Sequence, residues 1–203
     1  PGSITNFAQS FGMALLNSSL AAYGANKVAA MGITQKIYSI VILVIVGFAF
    51  GAQPLIGYNY GAKNWQRLKD ILRFDTLVLV AYAIIVGGLL IIFAKSVNAL
   101  FMNQASIVSA GSYMLIATII TTPFVGIILV YTTVFQSIGN AWGAFVMAIT
   151  RQGIIYLIVL EILKSTLGYH GIVWSQAASD ILTWIIGYFM FKKSLDLKDK
   201  LKK

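Results

Sequence analysis

The sequence has no cysteine among its 203 residues. Disulfides and thiolate metal sites are therefore excluded. Histidine occurs once, as His170 beside Gly171, which leaves no His pair for a metal and no His-dependent catalytic triad. Neither H-E-x-x-H, G-x-S-x-G nor a P-loop occurs. We read the chain as no enzyme, with no metal site and no bound cofactor. Charge is scarce too: 10% of residues are charged, against about 25% in soluble domains. Acids number six and Lys plus Arg fifteen, a net charge of +9. What the chain has in abundance is apolar residues, 59% of the total, with a mean hydropathy of +0.83. It is built for lipid. The positive charge gathers in connections and a tail, as an anionic inner leaflet attracts it, so no nucleic-acid partner is expected.

Six apolar segments are long enough to span a bilayer, at about 20 residues each. They lie near 4–23, 33–58, 72–93, 112–136, 141–163 and 172–191. The connections are short and no linker divides them. The expected fold class is all-α, a polytopic bundle of six transmembrane helices forming a single lobe over 1–203, with a basic tail at 192–203. Lys63, Arg67, Lys69 and Arg73 mark one side, and Lys192, Lys193, Lys198, Lys200, Lys202 and Lys203 join them there. Lys27, Lys36, Lys95 and Lys164 are assigned to connections on the other side. This bias places the lobe in the plasma (inner) membrane with both ends cytoplasmic. Between the third and fourth spans, Leu100, Phe101 and Met102 suit a short helix lying on the outer leaflet. The chain opens on Pro1-Gly2-Ser3, without Met or a signal peptide. That start reads as a piece of a longer protein.

The stretch Val46–Arg73 carries the densest signal. Gly47 and Gly51 are four apart, as are Gly57 and Gly61, a spacing that lets membrane helices approach closely. Pro54 removes a backbone donor and is assigned as a hinge; Pro123, after Thr121 and Thr122, is assigned as a second. Gln53, Tyr58 and Asn59 bring polar groups to membrane depth, where they need partners or water. Asp75, just past Arg73, is expected within reach of the inner surface and solvated.

Polar faces point to a wet interior. Asn6, Gln9, Ser10, Met13 and Asn17 share one helical face of the first span. Gln176, Ser179, Asp180 and Thr183 share another in the last. These faces either line a cavity or act as polar glue between helices. We assign Asn6, Gln9, Asn17, Gln53, Tyr58, Asn59, Gln176 and Thr183 to the lining of a substrate cavity. Arg151 lies roughly 15 Å into the fifth span, and Asp180 roughly 12 Å into the sixth from the opposite side. A lone charge at that depth is costly, so an interhelical ion pair is the simplest arrangement. It serves either ion coupling or helix register. Glu161 and Lys164 make an interfacial pair.

Four places resemble the multidrug and toxic compound extrusion family, in its carboxy-terminal six-helix lobe. They are N-S-S-L-A-A-Y-G-A-N-K-V-A-A-M-G-I-T-Q-K at 17–36, G-F-A-F-G-A-Q-P-L-I-G-Y-N-Y-G-A-K-N from Gly47, F-Q-S-I-G at 135–139, and R-Q-G at 151–153 followed by the Asp180 span. The resemblance implies half of a secondary active exporter. Such an exporter antiports cationic amphipathic compounds against protons or sodium ions by alternating access. Its partners would be the lipid bilayer, the substrates, and a missing amino-terminal lobe or second copy. The transported proton or sodium ion would be the only ion bound. The first span offers Asn and Gln, and the fourth no acid, where some members place a cation-binding carboxylate. A flippase-type member of the same superfamily and a non-transporting membrane scaffold subunit are the alternatives.

Overall fold

The computed structural model describes residues 2–195, apart from the side chains of 2–6, 8, 9 and 152. Every regular element among them is a helix. In chain order these are α1 (Gly2–Ala21), α2 (Ala25–Gly51), α3 (Gln53–Gly61), α4 (Trp65–Ile92), α5 (Ala94–Phe101), α6 (Ala105–Ile119), α7 (Thr122–Ser137), α8 (Ala141–Gln152) and α9 (Ile154–Ser194). By length and apolarity, Ala25–Gly61, Trp65–Ile92 and Ala141–Ser194 can each cross a membrane. The bent pair α6–α7 adds a fourth such run.

Local chemistry sets the boundaries. The Asn64 side chain accepts from the Arg67 backbone at 3.3 Å and starts α4. That cap draws α4 upstream of residue 72. Asn140 does the same for α8, accepting from Gly143 N at 2.9 Å. Pro54 sits in the first turn of α3, where its missing N–H costs nothing, and α2 gives way to α3 at Ala52. Pro123 occupies the equivalent place in α7, and α6 and α7 meet at 42°. Two glycines break these helices: Gly168 lies within the 164–171 connection expected between the last two spans, whereas Gly153 lies inside the expected fifth span. At Gly153 the backbone leaves helical geometry between α8 and α9. At Gly168, φ +56° and ψ −128° divide α9 into arms 154–167 and 169–194. Only glycine adopts such a backbone readily.

α2 lies against α6 and α7, α4 against α7, and α9 against α8, α7 and α6. Leu20, Ile45, Ile56, Leu68, Leu79, Leu115 and Leu160 form the core at the centre of these contacts. The outward faces stay apolar, with Ile40, Leu43, Ile84, Ile85 and Ile92 exposed. A surface of that kind suits hydrocarbon rather than water. Several buried hydroxyls bond back into their own helix. Ser112, Thr118, Thr133 and Thr150 each donate to the carbonyl four residues earlier.

Several expectations need correction. A Cβ added at Gly47, Gly51 or Gly61 would meet nothing within 4 Å among the described residues, so no neighbouring helix there requires glycine; at Gly57 it would sit 3.7 Å from the Ser137 carbonyl. Lys36 belongs to α2 rather than to a connection. Asp75 is 1% exposed rather than solvated. His170 is helical, in the second arm of α9, and its Nδ1 lies 2.7 Å from the Tyr113 hydroxyl. Lys192 and Lys193 form the last turn of α9. The remaining tail lysines lie outside the described residues. The short helix after the third span is α5, with Leu100, Phe101 and Met102 exposed at its end.

The α4–α7 contact gives one direct test. A Cβ at Gly126 would sit 3.3 Å from Leu79 Cβ and 3.7 Å from the Leu79 backbone. Gly126→Leu should force α4 from α7 and lose about 1–3 kcal/mol. Gly88→Leu, also on α4 but with open space around it, should leave stability unchanged. Thermal unfolding in detergent compares the two.

Candidate functional site

Two helix breaks assemble the polar centre. α8 ends one residue beyond Arg151, at Gly153, whose non-helical backbone puts its Cβ position onto the Ile149 carbonyl, so that glycine alone fits there. The interruption frees the Arg151 carbonyl, which accepts a hydrogen bond from the Ser179 hydroxyl at 3.3 Å. The bend between α6 and α7 brings Thr121 to the same place, and its hydroxyl donates to Asp180 Oδ2 at 3.1 Å.

Around these sits the ion pair. Arg151 Nε lies 3.7 Å from Asp180 Oδ1. Arg151 Nη2 donates to the Tyr38 hydroxyl at 3.1 Å. Gln176 Nε2 donates to Asp180 Oδ1 at 3.1 Å. Asp180 is fully buried, whereas the Arg151 side chain is 12% exposed. The carboxylate thus receives two hydrogen bonds and a nearby cation at membrane depth, which satisfies its charge. A bidentate Arg–carboxylate pair brings two nitrogens within hydrogen-bond reach. Here Nε is buried and has no hydrogen-bond partner among the described residues, so the pair is loose.

A cavity of about 420 Å³ opens beside it. α1 contributes Met13 and Leu16, α2 contributes Gln35, Lys36, Tyr38 and Ser39, α8 contributes Arg151, and α9 contributes Tyr156 and Gln176. Asp180 lies behind Arg151 rather than on the wall. A cation reaching this carboxylate must displace Arg151, while an anion meets Arg151 and Lys36 first. No ion partner is seen for Lys36 among the described residues.

The sequence-predicted residues divide. Arg151, Asp180 and Gln176 come together. Thr183 is buried one turn past Asp180, with its hydroxyl unpartnered. Asn17 is half-buried on α1 and is not on the cavity wall. The side chains of Asn6 and Gln9 lie outside the described residues. Gln53, Tyr58 and Asn59 sit on α3, away from this cavity. The Gln53 carbonyl accepts from Ser137 at 3.3 Å, Asn59 donates to the Leu55 carbonyl of its own helix at 2.8 Å, and Tyr58 is 76% exposed. Of the two proline hinges, Pro54 continues α2 into α3 as one 37-residue run, and Pro123 adjoins the 42° bend.

Tyr38, Thr121 and Lys36 were missed as site residues. Gln35, Tyr38, Ser39 and Ile42 do recur at helical spacing, but a single aromatic among apolar neighbours reads as core. Removing the Tyr38 hydroxyl should unfasten α2 from α8. We expect Tyr38→Phe to lower stability by about 1 kcal/mol, read by denaturant titration in detergent.

Comparison with known proteins places this geometry. The family model described as MatE matches residues 1–163. The multidrug export protein MepA of Staphylococcus saprophyticus is 31% identical over 168 residues, covering 83% of this chain and 37% of that protein. A crystal structure of MATE in complex with MaL6 superposes with a TM-score of 0.88 at 21% identity, over 100% of this chain and 46% of that one. A MOP superfamily transporter from Pyrococcus furiosus, described as having a binding pocket of reverse polarity, gives 0.87 at 21% identity, over 100% and 46%. The chain spans less than half the length of the relatives it matches. These likenesses, with an all-helical membrane fold and a charged pair at its centre, lead to one conclusion: the chain belongs to the MatE family of membrane transporters.

Proposed function

We propose that this chain is one lobe of a secondary active multidrug exporter. It would antiport organic cations against protons or sodium ions by alternating access in the plasma membrane, with both ends of the lobe cytoplasmic. A second lobe, or a second copy, would complete the pathway. The observation that carries this reading is the Arg151–Asp180 pair, 3.7 Å apart and beside a cavity. A loose pair behind a wet wall can exchange its internal cation for an external one, which a tight bidentate pair resists. The MepA relative, named a multidrug export protein, supports the substrate class.

One observation favours the flippase-type reading: Lys36 and Arg151 both line the cavity, and two cations would attract an anionic headgroup. Reconstituted vesicles separate the readings. The intact transporter should move a fluorescent lipophilic cation when a proton or sodium gradient is imposed. Flux of an anionic lipid analogue instead of the cation would favour the flippase. Absence of both fluxes in a well-folded protein would leave a scaffold.

A further inference from the structure

α4 carries a second acid that the Arg151–Asp180 centre does not use. Asp75 lies ten residues after the start of α4 at Trp65, roughly 15 Å along the axis. It is 1% exposed, and neither Oδ1 nor Oδ2 has a hydrogen-bond partner among the described residues. Its own helix offers none, because the residues three and four away are Ile71, Leu72, Val78 and Leu79. The helices packed against α4 offer no neutralising charge either. α3, α6 and α7 contain no charged residue. α5 carries Lys95 alone, and α2 carries Lys27 and Lys36, far from its 47–51 end that faces α4. Of the tyrosines on those helices, Tyr38 accepts from Arg151, Tyr58 is 76% exposed and Tyr60 packs edge-on against Trp65. Tyr113 bonds His170, and Tyr131 lies on the groove that α4 shares with α7 and α9, as do Lys69 and Arg73.

Asp75 also lies on a cavity of about 720 Å³ between α4 and the α2–α3 junction. Phe48, Leu55 and Phe74 make its walls apolar, while Asn64, Arg67 and Asp70 lead from it toward the basic connection. An isolated carboxylate in such surroundings takes up a proton rather than stay charged. A sodium ion would need several further oxygen ligands; Phe48, Leu55 and Phe74 offer none, and the cavity's other oxygen-bearing side chains, Asn64, Gln66 and Asp70, lie five or more residues from Asp75 along the chain.

We propose that Asp75 is a proton-binding site, distinct from the Arg151–Asp180 pair, which exchanges its proton with water through the α2–α3/α4 cavity. Loss of the proton leaves a carboxylate on Asp75 and a hydrated proton in the cavity; uptake reverses both. The use of this proton in transport rests on the exporter reading, whereas its presence on Asp75 does not.

Dicyclohexylcarbodiimide tests it on the unaltered transporter in detergent at mildly acidic pH. The O–H of a neutral carboxylic acid adds across one C=N bond, so nothing leaves and the mass of the reagent is gained. Peptide mass spectrometry should find the adduct on Asp75, several-fold above the exposed carboxylates Asp70 and Glu161. Recovery of the Asp75 peptide unmodified would overturn the proposal. Infrared difference spectra give a second reading. The carbonyl band of a neutral acid should vanish in Asp75→Asn and persist in Asp180→Asn; its persistence in a folded Asp75→Asn protein would overturn the proposal. If Asp75→Asn does not fold, the labelling decides alone. Labelled Asp75 without cation flux would sink the exporter reading and keep the site. Normal flux with unlabelled Asp75 would do the reverse.

Discussion

Replacing Arg151 with Met is expected to lower stability by about 3–5 kcal/mol, because it strands Asp180 without its cation. Asp180 is fully buried, and Thr121 and Gln176 alone would remain to solvate it. Asp180→Asn should fall toward the lower end, about 3 kcal/mol, since the Arg151 side chain is 12% exposed and can draw water from the cavity. The double variant Arg151→Met, Asp180→Leu should recover most of the loss, as apolar replacements of buried pairs commonly do. Denaturant titration of the unaltered protein and the three variants checks these values. Flux in vesicles then separates the two roles left open by the sequence. A stable double variant that still exports would make the pair a register lock. A stable double variant without export would make it part of the transport cycle.

The second large effect is expected at the turn inside α9. A Cβ at Gly171 would overlap the carbonyl oxygen of Leu163, a backbone atom that cannot rotate aside. Gly168 supplies the positive φ that starts the turn. Gly171→Val should therefore prevent the second arm of α9 from docking, with loss of monodisperse protein on size-exclusion chromatography. Gly168→Ala keeps the space problem small, since the nearest contact is the Tyr23 hydroxyl at 3.2 Å. It imposes a backbone strain of about 1–3 kcal/mol. Equal behaviour of the two variants would contradict this account.

These two regions differed in how legible they were. Arg151 and Asp180 stood out because charge at mid-span has few solutions. The turn at Gly168 falls in the 164–171 connection expected between the last two spans; what was hidden is the positive φ that places it at Gly168. The break at Gly153 was equally hidden. One glycine inside a helical pattern is tolerated, and nothing local says that its Cβ would meet Ile149. Asp75 was misread through its neighbour Arg73 and the nearby basic connection. The Asn64 cap lengthens α4 upstream, which moves Asp75 inward, and the 75 position faces the packed side rather than the side of Arg73. Thr121 was noted only for its place before Pro123. That its hydroxyl reaches Asp180 depends on the crossing of α7 and α9, which no local pattern encodes.

The meeting of α6 and α7 at 42° has a mechanical consequence. Thr121 stands at the vertex and is tethered to Asp180, while the 16 residues of α7 extend about 24 Å beyond it at 1.5 Å per residue. That length acts as a crank arm. A rotation of about 5° at the vertex carries the far end of α7 by about 2 Å over that reach. The far end holds Ser137, bonded to the Gln53 carbonyl beside Pro54. A movement of the Asp180 carboxylate that pulled Thr121 with it would therefore be felt at Ser137 and the Gln53 carbonyl.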